Sequence, residues 1–326
     1  MDFEIKILLI TFAISVICGI ITIPILKKLK IGQIERDDGP ASHLKKQGTP
    51  TMGGIIMIVA IIIATVGACI FFSVTNNQEL IKRLIPLLII TIAFGMIGFI
   101  DDFKKLVLKN TDGLKPKYKM LGLLIIAVIY VLFLVYGFNL GTDTYIPIFK
   151  IYINIPVFLY IPLAVLVILS TTNAINLTDG VDGLASSVSC LIITCLTVIG
   201  ISNQMYEVSI FGSIVIGATL GFLIFNLHPA KVFMGDTGSL MLGGVISSIA
   251  LYLKMPLLLV LIAIIPVLEA LSDIIQVMYY KKTGKRVFKM APLHHHFELS
   301  GWKENKIVVV FSLITLIACA VGLKII

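Results

Sequence analysis

Ten apolar runs divide the chain, at residues 5 to 27, 53 to 74, 83 to 100, 120 to 138, 156 to 174, 184 to 202, 208 to 226, 239 to 254, 256 to 278 and 306 to 324. A helix rises about 1.5 Å per residue, so runs of this length suit the roughly 30 Å of hydrocarbon in a bilayer. None shows the polar and apolar alternation of a barrel strand, so helix is the form that keeps the backbone hydrogen-bonded in lipid. Between the fourth and fifth runs, TDTYIPIFKIYINIP alternates and is rich in β-branched residues. That stretch predicts a short β-hairpin at the extracytoplasmic membrane face. The pattern as a whole predicts an all-α polytopic membrane protein of ten transmembrane helices. No linker or repeat of fixed period interrupts it, so residues 1 to 326 are read as a single domain.

Composition sharpens this picture. Of 326 residues, 58% are hydrophobic and 13% charged, and the mean hydropathy is +1.04. A soluble globule carries about twice that charge. Cys18, Cys69, Cys190, Cys195 and Cys319 all fall in apolar runs without CxxC spacing, which predicts small buried side chains and no disulfide framework or zinc cage. The first run lacks a basic n-region and exceeds the length of a signal h-region, so it reads as a retained span.

The formal net charge of +8 is one-sided. Connections after the first, third, fifth, seventh and ninth runs carry 20 of the 26 lysines and arginines. The positive-inside rule places those five loops in the cytoplasm and both termini outside. Part of the basic face is this topology signal and attraction to anionic lipid, the rest suits a phosphorylated ligand, and no nucleic-acid partner is expected.

Polar chemistry gathers at the same helix ends. The third run ends in GFIDDFKK with Asp101 and Asp102; the fifth ends in TTNAINLTDGVDGLA with Asn173, Asn176, Asp179 and Asp182; the seventh ends in FNLHPAKVFMGDTGSL with Asn226, His228, Lys231, Phe233 and Asp236. Carboxylates beside hydrocarbon are costly and mark function. Five from three helices repel one another unless cations neutralise them. Oxygen ligands without cysteine point to Mg²⁺ or Mn²⁺. Neighbouring helical residues diverge by about 100°, so Asp101 and Asp102 are not expected to grip the same ion. The glycine stretches GTPTMGG and MGDTGS open helices, where free N–H groups suit phosphate, although neither matches a P-loop. Glu269 and Asp273 form an i, i+4 pair with Gln276 beyond, read as a polar seam between helices, with a basic partner or a ligand as alternatives.

After the ninth run, APLHHHFE gathers His294, His295 and His296 beside Phe297 and Glu298. In an extended or irregular loop their rings point apart, which suits hydrogen bonding to a spread-out ligand better than ligation of one ion.

Taken as an ordered series, KKQGTPTMGG, GFIDDFKK, NAINLTDGVDGLA, FNLHPAKVFMGDTGSL and APLHHHFE closely resemble the MraY family of bacterial phospho-N-acetylmuramoyl-pentapeptide transferases, within the polyprenyl-phosphate N-acetylhexosamine-1-phosphate transferase superfamily. The resemblance runs over essentially the whole chain. It implies an enzyme of the bacterial plasma membrane with its site on the cytoplasmic face. There, undecaprenyl phosphate would attack UDP-N-acetylmuramoyl-pentapeptide to give lipid I and UMP, with Mg²⁺ as cofactor and Mn²⁺ as its substitute. It implies Asp236 as the principal metal ligand and Asp101 and Asp102 as a catalytic pair. Asn176, Asp179, Asp182, Asn226 and Phe233 would line the nucleotide side. Lys46, Thr51, Lys105 and Lys119 would handle phosphates or uridine, and His294, His295 and His296 the sugar diphosphate. Lys117 competes with Lys119 for its role. A homodimer is also implied.

Two mechanisms stay open: covalent attack by Asp102, or direct displacement with Asp101 deprotonating or orienting the lipid phosphate, the latter favoured because that phosphate is already ionised. Two rival functions also stand. One is a transferase using UDP-N-acetylglucosamine. The other is a transporter, suggested by intramembrane carboxylates and by Pro24, Pro86, Pro162 and Pro266, although transporters bind near the midplane.

Overall fold

The computed structural model describes residues 2–29, 48–106 and 113–326. The chain runs through α1 (Asp2–Lys28), α2 (Gly54–Val74), α3 (Gln78–Leu106), α4 (Pro116–Leu132, extended by a wider turn to Gly137), β1 (Asp143–Ile146), β2 (Ile151–Asn154), α5 (Val157–Thr178), α6 (Leu184–Ser202), α7 (Tyr206–Asn226), α8 (Gly235–Tyr252), α9 (Leu259–Ile262), α10 (Ile264–Thr283), α11 (Leu293–Glu298) and α12 (Glu304–Ile325). Every apolar run has become helical. Among the described residues eight helices are long and apolar enough to cross a membrane, and the pair α9–α10 makes nine if it is one broken span.

The remaining run, α8, sits differently. All of Thr237 to Tyr252 is buried, with α3 packed along one flank and α5 and α2 along others. A helix walled in by protein has no need of a lipid-facing surface, so it tolerates Gly238, Gly243, Gly244, Ser247 and Ser248. The two serine hydroxyls donate back to carbonyls of their own helix, Ser247 to Gly243 (2.9 Å) and Ser248 to Val245 (2.9 Å). By contrast α1 turns Ile10, Ile17, Ile20 and Ile21 outward, as a helix against lipid does.

Close approach of α3 to the start of α8 depends on Gly98. A Cβ built there would lie 2.1 Å from the carbonyl oxygen of Asp236. Gly98→Ala is therefore expected to push α3 off α8 at about 1–3 kcal/mol, the usual range for overpacking. Thermal unfolding in detergent should show the fall.

The ninth run, expected as one span carrying Pro266, breaks at Ala263, where α9 and α10 meet at 83°. Pro266 has no N–H to offer the Ile262 carbonyl, and Ala263 leaves helical geometry at φ −99°, ψ 34°,. The released carbonyl faces the Cys319 thiol at 4.0 Å. Among the described residues all five cysteines are free.

The expected hairpin is present. β1 and β2 pair antiparallel with Tyr145 opposite Tyr152, and their rings lie 5.0 Å apart. Lys254, just past α8, ties the hairpin down through its ammonium to Asp143 Oδ2 (3.1 Å) and through its carbonyl to the Tyr145 N–H (2.8 Å). This anchors the hairpin at the C-terminal end of α8, the opposite end from Asp236.

Candidate active site

At the N-terminal end of α8 the segment before α2 pairs with the segment before α8. Phe233 N–H donates to the Pro50 carbonyl (2.8 Å), Gly53 N–H to Phe233 (2.8 Å) and Gly54 N–H to Met234 (2.9 Å). Both glycine stretches thus form one wall, and Thr51 is buried beside Gly235.

The adjacent carboxylates of α3 separate as helix geometry requires. Asp102 turns to the start of α8, where its Oδ1 accepts from the Asp236 N–H (3.2 Å) and its Oδ2 from the Thr237 N–H (2.9 Å) and hydroxyl (2.6 Å). It caps the helix from another element, satisfying N–H groups that a helix leaves unpaired and facing the positive end of its dipole. Asp101 points the other way. Its Oδ1 accepts from the Leu114 N–H (2.7 Å) and its Oδ2 lies 2.6 Å from Lys105 Nζ.

Asp236 is the hub. Its Oδ2 accepts from Lys105 Nζ (3.1 Å) and Lys119 Nζ (2.9 Å), and its Oδ1 from Asn176 Nδ2 (2.7 Å). Lys119 also lies 3.8 Å from Asp101, while Lys117 faces outward. Of the two lysines, Lys119 is the one that reaches these carboxylates. Asp101, Lys105 and Lys119 line a cavity of about 320 Å³ whose other walls include Leu114, Met120, Leu123 and Asn173. Its mix of an apolar wall with a cationic and acidic end suits a ligand that has both a greasy and a phosphorylated part. Asn173, noted at the end of the fifth run but given no binding role, and the apolar wall were not among the expected substrate contacts. The asparagine lies one helical turn before Asn176, on the same face.

The turn after α5 carries Asp179 and Asp182. Burial, together with the carboxylates of Asp236, Asp102 and Asp182, pushes Asp179 well above the usual carboxylate range,. An acid with a raised folded-state pKa favours folding fully at low pH, and that contribution is lost as pH climbs past its unfolded value of about 3.9. Asp179→Asn in metal-free buffer should therefore raise Tm at pH 7.5 by roughly 1–3 °C, a gain that shrinks toward pH 4.

Asn226, expected on the nucleotide side, is 2% exposed, accepts from Ser186 Oγ (2.7 Å) and donates to the Val232 carbonyl (3.0 Å). Both polar ends of its amide hold the chain leading into α8. Asp182 is also buried, accepting from the Ala230 N–H (3.0 Å) and lying 3.1 Å from His228 Nδ1. Lys46 lies outside the described residues.

The histidine stretch is a correction, because it forms the short helix α11 and not an irregular loop. The rings of His294 and His295 lie 4.1 Å apart, yet each of the three has its own polar partner. His294 Nδ1 lies 3.1 Å from Glu269 Oε2, and its backbone N–H also donates to that carboxylate. A carboxylate only accepts, so Nδ1 carries the proton and Nε2 is left against Gly180, where a Cβ would sit 2.1 Å away,. His295 pairs with Glu298 (2.8 Å), and His296 Nδ1 accepts from the Lys289 N–H (3.1 Å). Of the polar groups expected as a seam along α10, two fasten neighbouring segments. Glu269 holds α11, while Gln276 holds the chain at 287 and 288 through three hydrogen bonds of 3.0 Å.

A helical membrane bundle with acidic and cationic groups gathered at one end of the helices has the makings of a membrane-embedded phosphosugar transferase. In keeping with this, the sequence profile of glycosyl transferase family 4 matches residues 84–254. Similarity to curated phospho-N-acetylmuramoyl-pentapeptide-transferases is far more extensive. That of Clostridium botulinum (strain Eklund 17B / Type B) is 50% identical over 97% of this chain and 94% of its own. Those of Clostridium acetobutylicum and Acetivibrio thermocellus are 48% and 46% identical, each over 96% of this chain and over 96% and 92% of their own. The chain belongs to the phospho-N-acetylmuramoyl-pentapeptide-transferase family.

Proposed function

We propose that this protein transfers phospho-N-acetylmuramoyl-pentapeptide from its UDP-linked donor to undecaprenyl phosphate, releasing UMP and forming lipid I, the first membrane step of peptidoglycan synthesis. The observation that carries this reading is the convergence of Asp101 and Asp236 with Lys105 and Lys119 at the helix ends, in a chain half identical to named transferases along nearly its whole length. A site at that level reaches both a water-soluble nucleotide and a lipid head group. The positive-inside rule then puts it on the cytoplasmic face of the bacterial plasma membrane.

The donor set fits Mg²⁺. Asp236 and Asp101 offer hard carboxylate oxygens, thiols are absent from the cluster, and Asp236 Oδ2 already holds two cationic nitrogens at 2.9 and 3.1 Å, so it is placed to hold positive charge,. Asp236 would be the principal ligand, with Asp101 beside it. When bound, the ion neutralises charge on the diphosphate and on the departing UMP.

The protein's own groups do the rest. Lys105 and Lys119 turn from the carboxylates to phosphate oxygens, lowering the repulsion between a lipid phosphate and a diphosphate. Asp101 positions the lipid phosphate at the cavity. An oxygen of undecaprenyl phosphate forms a bond to the β-phosphorus as the bond from that phosphorus to the UMP oxygen breaks. Asp102 is 5% exposed and accepts three hydrogen bonds, which favours direct displacement over attack by this carboxylate. Its part is to hold the start of α8, and with it Asp236.

The test is release of UMP by purified protein with Mg²⁺, undecaprenyl phosphate and either UDP-N-acetylmuramoyl-pentapeptide or UDP-N-acetylglucosamine. Release with the first donor alone is expected. Release only with the second would move the chain to the sister activity, and none with either would end the transferase reading.

A further inference from the structure

Three side chains able to ligate a metal meet beyond the Asp236 cluster, each from a different segment. Asp182 comes from the turn between α5 and α6, His228 from the chain between α7 and α8, and Glu304 from the first position of α12. His228 Nδ1 lies 3.1 Å from Asp182 Oδ2 and 3.6 Å from Glu304 Oε2. The three atoms all lie within 4.8 Å of one another. In a tetrahedral shell with bonds of about 2.0–2.1 Å, neighbouring ligand atoms are separated by roughly 3.3–3.4 Å. The two measured separations to the imidazole bracket that value.

Burial and support also suit an ion. The side chains of Asp182 and Glu304 are 3% and 9% exposed, while that of His228 is 38% exposed. Two carboxylates are thus fixed in the protein, and solvent reaches the ring, where an ion can enter and a water can complete its shell. The Ala230 N–H donates to the same Asp182 oxygen (3.0 Å) and orients it, as an outer-shell partner does for a metal ligand,.

We propose that Asp182, His228 and Glu304 form a second cation site, separate from the one at Asp236 and selective for a borderline divalent ion, with Zn²⁺ the best match. One imidazole with two carboxylates favours zinc over magnesium, which prefers oxygen ligands alone. An ion there clamps the start of α12 and the chain before α8 onto the turn that carries Asp179.

The experiment uses the full-length protein in detergent, stripped with a chelator and then titrated with Zn²⁺ against a chromophoric competitor in excess Mg²⁺. One retained Zn²⁺ per chain is expected, with Tm raised by several degrees. His228→Ala and Glu304→Gln should each weaken retention at least tenfold and abolish the Tm rise. Asp236→Asn and His296→Ala should keep both. If His228→Ala does not fold, Glu304→Gln, which keeps the size of the side chain, decides alone. No retention by the wild type would mean that the cluster holds no zinc, and equal retention by Glu304→Gln would place the ion elsewhere; either overturns the proposal. Since the readouts are binding and Tm, they stand whatever the UMP assay returns.

Discussion

Asp236→Asn is expected to cut UMP release at least a thousandfold while leaving a folded protein. Removal of one preorganised electrostatic contact costs an enzyme about 10²–10³ in rate, and the charge stabilisation supplied through a metal ligand adds several kcal/mol, each 1.36 kcal/mol being tenfold. Asparagine is nearly isosteric and keeps an oxygen for Asn176 Nδ2, which now donates at 2.7 Å. Lys105 and Lys119 lose a partner, but their side chains are 39% and 19% exposed, and Asp101 lies 2.6 and 3.8 Å from them. The Tm change should therefore stay within a few degrees, measured beside the rate in the same detergent. A variant retaining more than a tenth of wild-type release at saturating Mg²⁺ would mean that the negative charge of Asp236 is not needed, and the proposed centre would fall with it.

How much of this was legible beforehand depends on what the sequence has to advertise. Lipid demands apolar runs, so the helices and the hairpin between the fourth and fifth could be read directly. Pro24, Pro86 and Pro162 lie inside continuous helices, whereas Pro266 follows a break of 83°. The residue is the same in each case and packing decides, since a nearby thiol and the support of α12 are invisible in one dimension. The central place of α8 was hidden for a related reason. Its glycines and serines mark close neighbours, yet a list of residues does not name those neighbours.

The site followed the same division. Gathering Asp101, Asp102, Lys105, Lys119, Asn176 and Asp236 at one level follows from their places at helix ends, so counting spans was enough to bring them together. What each carboxylate touches was not readable. The sequence presents Asp101 and Asp102 as equals, and only the arrival of α8 beneath one of them gives the two different tasks. What Asn226 and His294 touch was equally hidden, because a polar residue in a motif has the same appearance whether it faces a ligand or fastens two segments together.

The difference between the two aspartates supplies the second large effect. Asp101→Asn should lose activity by about a hundredfold or more with little change in Tm, because an amide oxygen can still accept from the Leu114 N–H and Lys105 is partly exposed. Asp102→Asn should lose both. Its two oxygens face two backbone donors, Asp236 N–H and Thr237 N–H. An amide offers one oxygen and one NH₂ group, so one buried N–H must meet another donor. A buried donor left without an acceptor costs about 1–3 kcal/mol and the lost charge at a helix N-terminus up to about 2 more. Together these lower Tm by roughly 2–20 °C at 2–4 °C per kcal/mol. Asp102 as the nucleophile of a covalent route predicts something else: an Asn variant as stable as wild type, and a wild-type enzyme that exchanges labelled UMP into its UDP-sugar donor with no lipid phosphate present. Exchange under those conditions, with Tm unchanged in the variant, would reassign Asp102 from holding α8 to attacking phosphorus. A Tm loss without exchange leaves it as the residue that sets where Asp236 stands.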